Sequence, residues 1–436
     1  MIAVLVIAGV ASLAAFAGLH WYAWRRLVRD TTVRAGLARR AGTAVFVLGP
    51  LLMFAAVASE RAGAPFWLQQ VLSWPGFLWM AFSIYLVLAV LVGEVVRPLL
   101  RRYLDRRSGP GGAEPGPVPE PVLVPTREPD ELPTATTTST PTPTPTSTPT
   151  TPEPVTPSAA ADPSRRLFVS RVVGGAAVVA ATGIVGNGAY GVLRGPRVKR
   201  VTVPLARLPR SAHGFRIAVV SDIHLGPVLG RGFAQRVVDT INSTQPDLIA
   251  VVGDLVDGSV EDLAPAVAPL AGLRARHGTY FVTGNHEYFS GAEPWVEHVR
   301  EIGLRPLENA RVEMGAFDLA GVNDVTGENY GDGPDYDKAL GDRDPGRAAV
   351  LLAHQPVMIH QAVKHGVDLQ LSGHTHGGQL WPGNFIADAA NPTLAGLERY
   401  GDTQLYVSRG AGAWGPPVRV GAPSDITVVE LASKRA

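Results

Sequence analysis

The chain has 436 residues, a length typical of two or three domains rather than one. Its formal net charge of +1 excludes an overall electrostatic attraction to nucleic acid. Cysteine is absent, which excludes disulfides and thiolate ligands, so any metal must be held by His, Asp, Glu or Asn. Charged residues make up 18% of the chain, below the usual value of about 25%, and this local deficit indicates membrane segments.

Three uncharged apolar segments begin the chain, and each is long enough to cross a hydrocarbon core of about 30 Å. They are predicted at Ile2 to Trp24, Ala41 to Ser59 and about Gly76 to Val96. The alternative is three helices buried in a soluble core. It is disfavoured because soluble helices of such length carry charges. Residues 1–107 are therefore predicted to form a three-helix transmembrane region.

Two clusters of arginine flank these segments, one after the first span and one after the third. Basic residues next to spans favour the cytoplasmic side, so both clusters are predicted to lie there and the N-terminus outside. The clusters are Arg25, Arg26, Arg29, Arg34, Arg39 and Arg40, followed by Arg97, Arg101, Arg102, Arg106 and Arg107.

Residues 108–163 are rich in Pro, Thr and Gly and are predicted to be a disordered linker. In residues 164–194, the pair Arg165-Arg166 precedes an uncharged, glycine-rich stretch, which resembles a twin-arginine export signal retained as an anchor. The alternative is an ordinary fourth helix, and whether the segment is cleaved stays open. Both interpretations place the following domain outside the cytoplasm. Basic residues just beyond the segment oppose that orientation: Arg194, Arg197, Lys199 and Arg200.

Short apolar runs alternate with helical patterns in residues 195–436, which predicts an α/β domain. Five of these runs end in residues able to bind a metal. These residues are Asp222, Asp254, Asn285, His354, and His374 with His376. Because sites in open α/β sheets form beyond the carboxyl ends of the strands, the pattern predicts one shared pocket.

The spacing within two of the motifs suggests how ligands are grouped. Residues two apart share a face of an extended segment, so Asp222 and His224 are predicted to bind one ion together. His374 and His376 can converge in the same way. Imidazole, carboxylate and amide ligands suit iron, manganese or zinc. Seven ligands exceed the need of one tetrahedral ion, so two ions sharing a bridging carboxylate are expected.

The motifs resemble those of the calcineurin-like metallophosphoesterase family. They are Asp222-Ile223-His224, Gly253-Asp254, Gly284-Asn285-His286-Glu287, His354 and Gly373-His374-Thr375-His376. The ending Gly377-Gly378-Gln379, with apolar helices ahead of the domain, is similar to a membrane-associated bacterial phosphodiesterase branch. The resemblance covers residues 221–379 and does not reach residues 1–163. It implies a four-layer αββα sandwich for the α/β domain, and the apolar segments predict an α-helical transmembrane region ahead of it.

The resemblance also implies roles by position. One ion (manganese, iron or zinc) would be bound by Asp222, His224 and His376. The second would be bound by Asn285, His354 and His374, with Asp254 bridging the two. A hydroxide between the ions would attack phosphorus in line, and His286 would contact the phosphate and protonate the leaving oxygen.

Other residues have weaker signals. Asp257 is interpreted as a loop or helix-cap residue, with a catalytic role as the alternative. Glu287 is interpreted as a support of His286 or its loop, with direct metal binding as the alternative. Asp324 is a candidate support for the ligands, and Arg409 a candidate contact for substrate phosphate. Trp381 and Trp414 are interpreted as packing residues, with a lipid-facing pocket as the alternative.

The sequence thus predicts a multi-pass bacterial membrane protein with an extracytoplasmic, two-metal phosphoesterase domain. A phosphodiester from a lipid or the envelope is the expected substrate, and the bilayer and the twin-arginine machinery are the expected partners. Nucleic acid is not expected. One alternative is a sensor or scaffold that binds a phosphorylated ligand without hydrolysis, which the complete motif set disfavours. A nuclease of the same family is disfavoured by the near-neutral charge.

Overall fold

The computed structural model describes residues 2–107 and 163–434. The predicted linker lies outside the described residues, apart from Pro163, which begins a helix. Four long helices precede the α/β domain. They are α1 Ile2–Trp24, which continues into a π-helical turn Arg25–Arg29, then α2 Leu37–Arg61, α3 Phe66–Arg107 and α4 Pro163–Leu193.

Within the described residues, three helical segments are long and apolar enough to cross a membrane: Leu37–Arg61, Phe66–Leu104 and Arg165–Leu193. The predicted third span, Gly76 to Val96, is too short, because α3 begins ten residues earlier, at Phe66. Pro75 lies inside α3, and neighbouring helices allow a membrane helix to tolerate such a residue.

The basic segments lie together at one end of the helical bundle. Arg26 and Arg97 both bind Glu94, at 2.7 and 3.1 Å, which joins the end of α1 to α3. The start of α4 is at this end too, since Arg171 donates to the carbonyl of Thr31 at 3.0 Å. Near the other end of the bundle, Phe66 packs against the core of the α/β domain. Arg26 and Arg97, which belong to the two arginine clusters, therefore lie at the same end of the bundle, and the α2–α3 turn lies at the opposite end.

Two six-stranded sheets form the centre of the α/β domain. Their orders are β1-β12-β2-β3-β4-β5 and β10-β11-β9-β8-β7-β6. The first sheet has β1 Arg197–Leu205, β2 Phe215–Val220, β3 Leu248–Val252, β4 Thr279–Val282, β5 Arg305–Pro306 and β12 Asp425–Ser433. The second has β6 Ala310–Glu313, β7 Phe317–Gly321, β8 Ala348–Leu352, β9 Leu369–Ser372, β10 Gly396–Tyr400 and β11 Thr403–Val407.

Helices cover the outer face of each sheet. They are α5 Arg231–Ser243, α6 Val260–Val267, α7 Asn285–Ser290, α8 Ala292–Glu301, α9 Tyr336–Leu340 and α10 Ile359–Lys364. A further helix, α11 Gly383–Ala390, follows the last ligand loop and has no buried residue. Alternate residues of β2 serve different layers: Ile217 and Val219 pack between the sheets, whereas Ala218 and Val220 pack under the helices. The four-layer αββα sandwich is therefore confirmed.

Some elements differ from the sequence pattern. The residue pattern from Glu261 to Arg274 predicts one continuous helix, but α6 ends at Val267 and the chain continues only as a 3-10 turn, Ala268–Gly272. Pro269 begins that turn, and its missing N–H cannot continue the α-helical hydrogen bonds. The strands β1 and β10 and the helix α11 were not predicted.

Candidate metal centre

The candidate ligands lie at the carboxyl ends of strands from both sheets. Asp222, Asp254 and Asn285 follow the parallel strands β2, β3 and β4. His354 follows β8, and His374 follows the parallel neighbour β9. Because the two sheets face each other, these ends meet at one edge of the sandwich, as the sequence predicted.

Five of the candidate ligands have left-handed backbone. The φ angles are 52° at Asp222, 49° at His224, 54° at Asp254, 71° at His374 and 53° at His376. The extended conformation expected for the Asp-x-His and His-x-His segments is therefore wrong. A non-glycine residue in this region costs roughly 1–3 kcal/mol and persists where the surrounding structure enforces it. Strain repeated at five ligands indicates a site built for geometry rather than for stability.

A first cluster joins Asp222, His224 and His376, whose ligand atoms all lie within 4.8 Å of one another. The Nε2 atoms of the two histidines are 3.0 Å apart. His376 Nε2 lies 3.4 Å from Oδ1 of Asp222. The lone pairs of these buried carboxylate and imidazole groups converge on one point, which suits a cation.

A second cluster joins Asp254, His354 and His374 within the same limit of 4.8 Å. His354 Nε2 lies 3.2 Å from Asp254 Oδ2, and His374 Nδ1 lies 2.9 Å from the side-chain oxygen of Asn285. Asp254 Oδ2 is also 3.7 Å from His224 Nε2. Asp254 therefore stands between the two clusters.

The outer nitrogens of the ligand rings have fixed partners. His354 Nδ1 donates to the carbonyl of Val252 at 2.8 Å, and His224 Nδ1 lies 2.9 Å from Asp257. Such partners hold a metal-binding ring in its orientation and tautomer. Among the described residues, the buried Nε2 of His354 has no hydrogen-bond partner. An unsatisfied nitrogen aimed at Asp254 fits a metal ion between them.

The charges of the centre also fit a cation. Burial disfavours a charged Asp254, but the neighbouring His354 outweighs it and holds the pKa of Asp254 well below its usual range. Against the same burial, Asp254 raises the pKa of His354 well above its usual range. The buried carboxylate thus requires a positive charge beside it, which a metal ion supplies better than a protonated ligand.

His286 lies beside the clusters and is held by Asp257. Its Nδ1 is 2.6 Å from Asp257 Oδ1. Burial disfavours its charged form, yet the hydrogen bond and charge of Asp257 raise the pKa of His286 to about 9. His286 is thus protonated at neutral pH, as a proton donor requires. Asp257 lies in a loop, as one interpretation had it, but it is not a helix cap, because Ser259 caps α6. Its carboxylate joins His224 to His286.

Comparison with known proteins agrees with this geometry. A model of the calcineurin-like phosphoesterase family matches residues 215–378. An uncharacterized metallophosphoesterase of Helicobacter pylori (strain J99 / ATCC 700824) is 37% identical over 275 residues, which are 62% of this chain and 74% of that protein. The chain belongs to the metallophosphoesterase family.

Two further relatives are similar over the same region. The transmembrane protein with metallophosphoesterase domain of Bos taurus is 41% identical over 253 residues, 54% of this chain and 57% of that protein. The metallophosphoesterase YkuE of Bacillus subtilis (strain 168) is 30% identical over 287 residues, 62% of this chain and 98% of that protein. This family membership, with the two clusters, makes the chain a metal-dependent phosphoester hydrolase.

Glu287 supports the metallophosphoesterase loops rather than the clusters. Its buried carboxylate accepts hydrogen bonds from the amides of Asp254 at 2.9 Å, Leu255 at 2.7 Å and Gly284 at 2.6 Å. Burial, together with the charge of Asp254, raises the pKa of Glu287 to about 7. Its predicted support of the loop agrees with these contacts.

Two glycines let the ligand loops pass close to one another. A Cβ on Gly284 would overlap the carboxylate of Asp254, and one on Gly373 would overlap the hydroxyl of Ser221. Both glycines precede ligand candidates directly. The glycine in each motif is thus explained by the close approach of a neighbouring chain.

The weaker candidates lie around the centre. Asp324 is buried and accepts hydrogen bonds from the amide of Thr326 and the side chain of Gln355, the residue after His354. Arg409 is partly exposed and lies beside Gly377. Neither belongs to a ligand cluster. Their roles as a support and as a phosphate contact stay predictions.

Arg419 is a neighbour of the centre that the sequence pattern did not reveal. It is fully buried and binds His376 twice, at the backbone oxygen (3.0 Å) and at Nδ1 (3.1 Å). Burial lowers its pKa to about 10, which leaves it charged at neutral pH. It follows His376 by 43 residues and belongs to no motif, so no local signal could have identified it.

Proposed function

We propose that this metallophosphoesterase is a membrane-anchored phosphodiesterase that uses two transition-metal ions. The observation that carries the proposal is the pair of ligand clusters joined by Asp254, with His286 held beside them by Asp257. Manganese, iron and zinc all suit these ligands. The substrate is a phosphodiester of lipid or envelope origin.

The ligand set divides between the two ions as the clusters do. Asp222, His224 and His376 would hold one ion, and His354, His374 and Asn285 the other. Asp254 would contact both. When bound, the ions would supply Lewis acidity toward the phosphoryl oxygens and lower the pKa of water.

The remaining steps fall to side chains of this chain. His286 donates a proton to the oxygen that leaves phosphorus, since its raised pKa keeps that proton available at neutral pH. Asp257 orients His286 and balances its charge. General acid catalysis of this kind contributes about 10²–10⁴-fold to a rate.

Hydrolysis of a soluble phosphodiester, methyl p-nitrophenyl phosphate, by the purified full chain with added Mn²⁺ tests the proposal. A matching phosphomonoester, p-nitrophenyl phosphate, shows the preference between the two classes. The control is Asp254→Ala, which removes the proposed bridge. Hydrolysis equal in the two proteins would rule out the enzyme and favour a binding protein.

We also propose that the domain lies outside the cytoplasm. The positive-inside rule assigns the basic end of the bundle to the cytoplasm. Two contacts join the domain to the other end of the bundle, which supports a domain outside the cytoplasm. Phe66, which follows the α2–α3 turn, packs on the domain core, and Gly188, near the end of α4, lies against Arg419.

A further inference from the structure

Five exposed apolar side chains lie near the metal centre, beside His286 or in the segment that follows His376, and we call them the mouth surface. They are Phe289, Trp381, Phe385, Ile386 and Trp414, with exposed fractions of 64%, 48%, 65%, 76% and 59%. The rings of Phe289 and Trp414 lie 5.5 and 5.7 Å from the ring of His286. Several large exposed apolar side chains beside one site indicate contact with an apolar partner.

The helix α11 is the most exposed part of the mouth surface. It carries Phe385 and Ile386, and none of its eight residues is buried against the described part of the chain. Asn384 fixes its first turn against Gly378, two residues after His376. The helix therefore projects directly from the loop that holds a metal ligand.

The loop before α11 is attached to the helical bundle. Tyr85 of α3 donates a hydrogen bond to the carbonyl of Trp381 at 2.9 Å. Leu380 and Val420 pack against an apolar cluster from α3 and α4 that includes Tyr85 and Val185. The mouth surface is thus continuous with helices that are long and apolar enough to cross a membrane.

The depth of this contact places the mouth surface beside lipid. Tyr85 precedes Arg97 by twelve residues, or about 18 Å of helix. A hydrocarbon core is about 30 Å thick, so with the basic end of α3 at one membrane surface Tyr85 lies inside the core. Among the eight residues of α11, Asp388 carries the one charge. The chemistry of α11 therefore suits the boundary between acyl chains and head groups.

The α2–α3 turn borders the mouth on another side. Glu60, near the end of α2, lies close enough to interact electrostatically with both Asp257 and His286. The Trp414–Gly415 turn lies against Phe77 of α3, since a Cβ on Gly415 would be 4.0 Å from that ring. The metal centre therefore opens next to the spans rather than on the far side of the domain.

We infer that the mouth surface inserts into the bilayer that holds α2, α3 and α4, and that the metal centre takes its phosphodiester substrate, a lipid, from that bilayer. The inference rests on the proposed function. In the reaction, water adds to phosphorus, one P–O ester bond breaks and the leaving oxygen gains a proton. The acyl chains stay in the membrane while the phosphate reaches the metal ions.

Two diesters with the same reacting group test this inference. The full chain in phosphatidylcholine nanodiscs with Mn²⁺ is assayed on hexadecyl and methyl p-nitrophenyl phosphate. We expect kcat/KM to be at least tenfold higher for the hexadecyl ester. In Phe385→Ser/Ile386→Ser, that ratio should fall to about one. The matched control is Val198→Ser/Val363→Ser, which changes two exposed valines on β1 and α10 and should keep the wild-type ratio.

The outcomes separate the inference from the proposed function. Failure to hydrolyse either ester would overturn the proposed function. Equal kcat/KM for the two esters in the wild-type protein would overturn the inference alone. A double variant that keeps the preference would also overturn it. If the wild-type protein is a dimer and the double variant that keeps the preference is a monomer, the mouth surface binds a second copy of the chain instead of lipid.

Discussion

The Nδ1 atom of His286 lies 2.6 Å from Oδ1 of Asp257, although 29 residues separate them in the chain. The same carboxylate contacts Nδ1 of His224 at 2.9 Å. One side chain thus orients both a proposed metal ligand and the proposed proton donor. Its removal should affect metal binding and proton transfer together.

Substitution Asp257→Asn should lower kcat by about ten- to a hundredfold, the usual effect of losing a partner that orients a metal ligand. It should also lower the pKa of His286, which Asp257 raises to about 9. Because the acid form of His286 is required, the alkaline loss of activity should move to lower pH by about one unit. A pH–rate profile of kcat measures both effects.

The exposed Asp262→Asn is the control for this change, because Asp262 contacts Ser259 and lies at the start of α6. It should leave the profile as in the wild-type protein. A profile of Asp257→Asn that loses rate without any shift would show that Asp257 only supports His224.

Removal of one ligand from each cluster should remove one ion at a time. His376→Ala and His354→Ala are each expected to lower bound metal by about one ion per chain, since each of these two residues belongs to one cluster only. Elemental analysis after dialysis measures the metal content. His360→Ala, on an exposed residue of α10, should keep the full content. Loss of all metal in either ligand variant would contradict two separable sites.

The ligand residues could be predicted from the sequence because each follows its strand directly. Asp222, Asp254 and His354 are placed by local order and by the parallel arrangement of their strands. The left-handed backbone at Asp222, His224, Asp254, His374 and His376 could not be predicted, since it arises where chains from both sheets meet. Arg419 reaches the centre through a tertiary contact that leaves no spacing in the sequence. Asp257 lies close to Asp254 in the chain, but its contact with His224 spans 33 residues and could not be predicted.

The exposure of the mouth surface could not be predicted from the sequence either. Trp414 was interpreted as a packing residue, yet it is 59% exposed and lies beside His286. Its turn is held by Gln379, which donates to the carbonyl of Trp414 at 2.9 Å and accepts from its amide at 3.0 Å. Gln379 and Trp414 are 35 residues apart, and the hydrophobic pattern of the sequence gives no indication that they are paired or that the indole ring is exposed.

Substitution Gly373→Ala should inactivate the protein and destabilise its fold. The new Cβ would overlap the hydroxyl of Ser221 and approach the carboxylate of Asp222, both of which are fully buried. Overpacking of this kind costs about 1–3 kcal/mol of unfolding free energy. Thermal unfolding would report the loss of stability, and metal content would report the damage to the metal centre that causes inactivation. Gly315→Ala meets nothing within 4 Å and should be neutral in both measurements.

The twin-arginine interpretation of α4 predicts a dependence on Arg165 and Arg166, both exposed at the basic end of the bundle. β-Lactamase fused after Ala436 should be active as a resistance marker, because that reporter folds in the cytoplasm but protects the cell only from outside it. Arg165→Lys/Arg166→Lys keeps the charge and removes the guanidinium groups. It should lower the signal at least tenfold while the chain remains in the membrane fraction. A signal that survives this change would make α4 an ordinary fourth helix. An inactive fusion of the unaltered chain would place the domain in the cytoplasm and reverse the proposed orientation.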